Sequence, residues 1–389
     1  MRRVAPAIAL FFLSPLVAEF LLGDFTLAQL PFLVALAPAY GGAAILIREL
    51  TRRAGRGWPT IVLLALAYGV IEEGLETQSL FNPDYLDAHL LAHGFVPALG
   101  IAIPWTVFVL TIHTVWSMSV PIALVEEWTT RRTTPWLRLP GLLIVAVLAL
   151  AGGIFTFVIS YSDGHFMATP AQLTVTAAIA VALVIVAFRL PRAAAPTSAP
   201  ASAGAVSAIA PRPWVVLVSV LIAGVLLVVA EGLPPVFGVL LMLALLAGVT
   251  VALLRWSARP GWDGRHRLAA AGGALLTYAW HSFLMHPVLD ATPTLVLVSH
   301  LFFALAAVLL LALEARRVWA RYVTPDGGVA HDAGVVSDAG VAHDAGVVSD
   351  AGVVSDAEGA PDAGVAHDAG VARDAGVARE IPTHVDPVG

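Results

Sequence analysis

Hydrophobic residues in this chain come in long runs separated by short polar breaks. Ten runs cover residues 4–22, 27–47, 58–80, 101–125, 140–161, 171–190, 214–231, 235–255, 268–288 and 294–314. A helix needs about 20 apolar residues to cross roughly 30 Å of hydrocarbon. A spanning backbone must satisfy its own hydrogen bonds, so each run predicts an α-helix. A β-barrel would show weak alternating segments of about ten residues, and the sequence has none. The breaks at 23–26, 232–234 and 289–293 predict tight helical hairpins. The first run follows Met1-Arg2-Arg3 with no small-x-small cleavage site, which predicts a retained helix rather than a removed leader.

Two stretches lack this pattern. Residues 191–213, rich in Pro, Ala and Ser, predict a flexible linker between a six-helix segment (1–190) and a four-helix segment (214–325). From 326 onward the chain repeats every six residues, with Asp at 326, 332, 338 and so on to 374. Small residues with one acid per repeat bury little core, so 326–389 predicts a disordered acidic tail. A left-handed β-helix has the same period, but only Val would fill its interior. His331, His343 and His367 in this tail are too widely spaced to form a built metal site.

Composition sharpens the class. The chain has 389 residues, 59% hydrophobic and 12% charged, which excludes a soluble globular protein and predicts an all-α polytopic bundle in the lipid bilayer. No cysteine is present, so disulfides, thiolate metal sites and cysteine nucleophiles are excluded. All 21 basic residues are arginine, which excludes Schiff-base chemistry. Nineteen of them precede residue 326, and every one falls before the first run or in alternate loops or helix ends, on one predicted side of the bundle. The positive-inside rule then predicts a plasma-membrane protein with both termini cytoplasmic. No basic patch interleaved with aromatics points to nucleic acid.

Candidate chemistry lies inside the runs. Glu19, Glu72, Glu73, Glu76, His113, His281 and His300 all sit in otherwise apolar sequence. A charged side chain at the bilayer centre costs about 2.5–3.5 kcal/mol on insertion scales, so each marks a functional candidate. At 1.5 Å per residue, Glu19, Glu72, His113, His281 and His300 all fall between the midplane and the outer boundary. Ala65, Gly69, Glu72 and Glu76 follow helical spacing and form one packing stripe, with Glu73 about 100° around the helix. Thr106, His113 and Ser117 form a matching polar stripe on the fourth run. These residues predict an outward-facing polar pocket. Carboxylates with imidazole suit a divalent metal such as zinc on Glu72, His113 and His281. They equally suit a general base acting on water, a cation or proton carrier, or a structural polar plug.

The outer loop 81–100 carries His89 and His93 at i, i+4, which predicts an amphipathic interfacial helix or, alternatively, two metal ligands on one helical face.

The pair Glu72-Glu73 followed by His113 in the next run resembles the CPBP (Abi, CAAX-protease-like) intramembrane proteases, whose pattern is EExxxR, FxxxH and HxxxN/D. That resemblance implies Glu72, Glu73, His113 and His281 as catalytic; Glu19, Glu76, His300 and Tyr278 stand beside them as supporting candidates read from the residues themselves. It implies hydrolysis of a peptide or lipid-like substrate within the membrane. The chain departs from the pattern at Thr77, Val109 and Met285. The stretch TYAWHSFLMHP (277–287) is similar, more distantly, to the late-helix signature of ten-helix membrane acyltransferases.

Overall fold

The computed structural model describes residues 4–192 and 209–322. Among them the chain forms ten helical rods, joined in sequence order. They are α1 (Ala5–Leu21), α2 (Phe32–Arg53), α3 (Trp58–Glu76), α4 (Ile103–Trp128), α5 (Leu139–Gly164), α6 (Pro170–Arg189), α7 (Pro213–Glu231), α8 (Pro235–Ser257), α9 (Gly264–His281) and α10 (Pro293–Tyr322). The rods follow the ten hydrophobic runs. Eight are long and apolar enough to cross a membrane; α1 is a shorter apolar helix. The other exception, α9, opens on Arg265, His266 and Arg267, polar groups that α9 keeps at its capped first turn. The run 268–288 predicted this helix to continue seven residues further than it does. Instead a tight turn at Ser282–Leu284 ends it, ahead of Pro287. The tail repeat and most of the linker lie outside the described residues.

Burial sorts the rods. The most apolar window of α4 is 67% buried and that of α3 is 61%, whereas α8 is 11% and α6 17%. The hydrophobic helices α5 to α8 therefore turn most of their surface outward, as apolar scaffolding in lipid must. The polar sequences fill the middle. Helix α4 is the axis. Its Trp116, Val120 and Leu124 join a core with Phe20, Tyr278 and Phe303, while Met118, Ile122 and Val125 on the other face join one with Leu10, Tyr40, Ile45 and Leu64.

Close helix approach depends on small residues, as is usual where lipid gives no hydrophobic drive for association. A methyl group at Gly41 would overlap the Phe11 carbonyl, so α1 and α2 cross backbone to backbone there. At Gly69 a Cβ would lie 3.1 Å from the Cβ of His113, and this gap sets α3 directly against α4.

The arginine-bearing end of the bundle is locked by buried ion pairs. The hydrophobic run 27–47 stops one residue short of Arg48, but α2 runs on to Arg53 and buries Arg48 completely. Its Nε lies 3.1 Å from Glu126 and its Nη1 2.5 Å from Glu49. Its Nη2 donates to the carbonyls of Arg131, Arg132 and Thr134, and its guanidinium stacks 3.6 Å from the Trp136 ring. Arg52 holds Glu126 from the other side at 2.6 Å. Glu127 pairs with Arg267 at 2.5 Å, so α4 is tied to α2 and α9 at this end.

Candidate functional site

Three rods, α1, α3 and α4, lose regular α-geometry where they carry their ionisable residues. Leu16–Leu21 in α1 holds Glu19, Glu72–Glu76 in α3 holds three glutamates, and His113–Ser119 in α4 holds the histidine; all three segments are π-helical. The Thr77 N–H donates to the Glu72 carbonyl at 2.8 Å, and Asp24 N–H to the Glu19 carbonyl at 3.0 Å, both i to i+5 bonds. A π-turn widens the helix by one residue and re-aims the side chains around it, and such turns concentrate at functional sites.

The widened turns converge on one imidazole. His113 Nε2 lies 2.6 Å from Glu73 Oε1, and Nδ1 lies 2.6 Å from Glu72 Oε2. The Nε2 contact has hydrogen-bond geometry. The Nδ1 contact does not, so Glu72 Oε2 makes no hydrogen bond although it is close; Ser117 Oγ, at 3.3 Å, is the aligned partner of Nδ1. The second oxygen of each carboxylate is held by a hydroxyl. Tyr40 donates to Glu72 Oε1 at 2.6 Å. Ser79 and Thr77 donate to Glu73 Oε2, and Trp105 Nε1 donates to Ser79 Oγ at 3.3 Å. Tyr40 stacks on the imidazole at 6.1 Å and Tyr68 meets it edge-on at 6.3 Å. Glu72, Glu73 and His113 are 3%, 6% and 6% exposed, so the centre is sealed within the bundle. Adjacent on the widened turn, Glu72 and Glu73 reach the two nitrogens of one ring.

The donor atoms of Glu72, Glu73 and His113 lie within 4.8 Å of one another, which suits them to a metal ion. Two carboxylates and an imidazole match the hard-to-borderline donors of a divalent cation. Two more carboxyls add to the charge. Glu19 lies against Tyr40, within electrostatic range of Glu72, Glu73 and His113. Glu76 lies within range of the same three, and its Oε2 is buried without a hydrogen-bond partner.

His281 does not join them: of the expected set Glu72–His113–His281 the structure brings together Glu72 and His113, with Glu73 as the third member. The reason is packing. Helix α9 reaches α4 through Tyr278, which stacks on Trp116 at 4.8 Å, on a different side of α4 from His113. His281 packs on Tyr278 and Trp280, and its Nδ1 has no hydrogen-bond partner. His300 lies in the second turn of α10, beside Gly23 and the Phe283 ring. The single outer-half layer therefore resolves into one cluster and two separate histidines. The loop helix is also absent. Residues 85–89 contain a short turn with positive φ at Leu86, Asp87 and His89, and a hairpin pairs Phe95–Val96 with Ile101–Ala102. His93 bonds the Leu233 carbonyl at 2.9 Å, so the two histidines share no helical face. Sequence reasoning missed Tyr40, Tyr68, Ser79 and Trp105. Of these only Tyr40 left a signal, sitting beside the small residues of α2.

Fold and centre together define a multi-pass helical membrane protein with a buried carboxylate–imidazole cluster. Residues 8–337 match the sequence profile of an uncharacterized membrane protein family, and the chain belongs to that family. No curated protein and no solved structure matches it.

Proposed function

We propose that this protein binds a cation at Glu72, Glu73 and His113 and carries it, or the protons that replace it, within the membrane. The observation that carries this reading is the charge balance. Glu72 and Glu73, both buried, flank one imidazole, the half-buried Glu19 and Glu76 lie within electrostatic range of it, and the buried Glu76 Oε2 has no hydrogen-bond donor. One imidazole supplies at most one positive charge, so a bound cation would offset the negative charge that remains. The arginine distribution supports a plasma-membrane orientation with cytoplasmic termini, which puts the centre nearer the external side. The test is titration of the detergent-purified protein with Zn²⁺ and Mn²⁺ by calorimetry, followed by uptake in proteoliposomes across a pH gradient. Wild type binds one ion per chain, and Glu72→Gln, Glu73→Gln and His113→Gln abolish binding. Unchanged binding in all three variants sinks the reading.

A second reading is favoured by one specific contact. The EE pair and the following His do meet, as the CPBP-like resemblance requires. In this reading a carboxylate beside His113 takes the proton from a water that attacks a peptide or lipid-like substrate. Cleavage of a membrane-embedded reporter, lost in Glu73→Gln without loss of fold, separates hydrolysis from transport. A purely structural plug would show neither ion binding nor cleavage, only lower stability in the variants.

A further inference from the structure

A cavity of about 530 Å³ opens between the outer ends of α3, α5 and α6, lined by Leu75, Gln78, Phe157, Met167, Leu173, Thr174 and Ala177. Gln78 is the anomaly in this wall. It is 3% exposed and holds a left-handed backbone at φ 57°, a conformation unfavourable for a residue of its kind. Its Oε1 accepts from the Ala168 N–H at 2.6 Å, which fixes the orientation of the amide. Its NH₂ group is thereby turned toward Met167, whose sulfur lies 3.6 Å away. A thioether is a weak acceptor and the amide has two N–H donors, so this buried donor lacks a strong partner.

We propose that this cavity binds one glycerophospholipid, with the ester carbonyl of an acyl chain accepting from Gln78 Nε2. Three features select that ligand. The wall contains no ionisable side chain, and its one hydroxyl, Thr174 Oγ1, is spent on the Pro170 carbonyl at 2.7 Å, so what it offers is the neutral N–H of Gln78 to a neutral acceptor. The flanking helices α5 and α6 turn apolar surfaces outward, which makes the opening continuous with lipid. Depth agrees as well. Phe157 lies seven residues before the end of α5 and Ala177 seven after the start of α6, so the cavity runs from the helix ends to about 10 Å inward. Ester carbonyls and the upper acyl chain occupy that zone of a bilayer. Leu75 and Gln78 flank Glu76 and Thr77, so the lipid borders the turn that carries the glutamates. The cavity takes this lipid whichever ion the Glu72–Glu73–His113 centre holds.

The test is photolabelling in proteoliposomes with a phospholipid bearing a diazirine in its acyl chain near the ester, mapped by mass spectrometry of the full-length protein. Labelling is expected to concentrate about tenfold in residues 157–177 over the equally lipid-exposed α7 and α8. Ala177→Trp fills the cavity and should reduce that labelling about tenfold. Gln78→Glu keeps the shape and the acceptor for Ala168 but removes the donor, and should reduce it about threefold. Gel filtration and circular dichroism check that both variants fold. Even labelling of α5 to α8, unchanged labelling in folded Ala177→Trp, or displacement of the label by an apolar peptide but not by unlabelled phospholipid each overturns the proposal.

Discussion

Replacing His113 by Gln removes the imidazole that bridges Glu72 and Glu73 while nearly preserving side-chain volume. The donor atoms involved lie within 4.8 Å of one another. Two unit charges at that separation repel by about 3.5 kcal/mol at an effective dielectric of about 20. Tyr40, Ser79 and Thr77 still donate to the outer oxygens, so hydrogen bonding offsets part of this cost. The expected loss is about 3 kcal/mol of unfolding free energy at neutral pH, a large share of the 5–15 kcal/mol typical of folded proteins. The diagnostic step is the double variant. Adding Glu72→Gln to His113→Gln removes one of the repelling charges and should recover most of the loss, so the two substitutions couple strongly rather than add. The assay is reversible unfolding by SDS in mixed micelles, followed by tryptophan fluorescence, for wild type, both singles and the double. If the double variant is as unstable as the sum of the singles, His113 does not act as the counter-charge and the electrostatic account of the centre is refuted.

At the opposite end, Glu126→Gln leaves Arg48 and Arg52 facing an uncharged amide. Breaking a buried pair on one side costs about 3–5 kcal/mol, so this variant should unfold at markedly lower temperature in detergent. A change under about 1 kcal/mol would mean that Glu49 and the 131–134 carbonyls satisfy Arg48, and the Arg56 carbonyl satisfies Arg52, without Glu126. Gly41→Ala should prevent the α1–α2 crossing and abolish accumulation of folded protein, whereas Gly248→Ala, with nothing within 4 Å of the added methyl, should be neutral or slightly stabilising by thermal shift. Asp263 caps α9, accepting from Arg265 N–H at 2.9 Å. Burial raises its carboxyl, but bonds from Arg265 and His266 outweigh that and hold it below the usual value. Asp263→Ala should therefore cost about 0.5–2 kcal/mol at pH 7. The difference from wild type should fade as pH falls below about 4, because the stability from a lowered carboxyl is lost on protonation.

Much of this molecule is written in hydrophobicity alone. The ten rods follow the ten runs because a backbone in hydrocarbon has only the helix to satisfy it, so length and apolarity suffice to place each element. The outward character of α5 to α8 was legible for the same reason: sequences without polar groups have nothing to protect from lipid. Glu72, Glu73 and His113 could be nominated because charges in such runs are costly. Which of the nominated residues meet was not legible. His281 has the same chemistry and nearly the same expected depth as His113, yet it is separated because α9 packs on a different side of α4. The π-turns that carry Glu19, Glu72 and His113 have no local sequence signature here. Arg48 looks like any flanking arginine until Glu49, Glu126 and the 131–136 loop close over it. Sequence determined which segments cross and which residues are expensive to bury. Only tertiary packing decided which of those costly groups share a site, because that depends on which faces of neighbouring helices come within a hydrogen bond of each other.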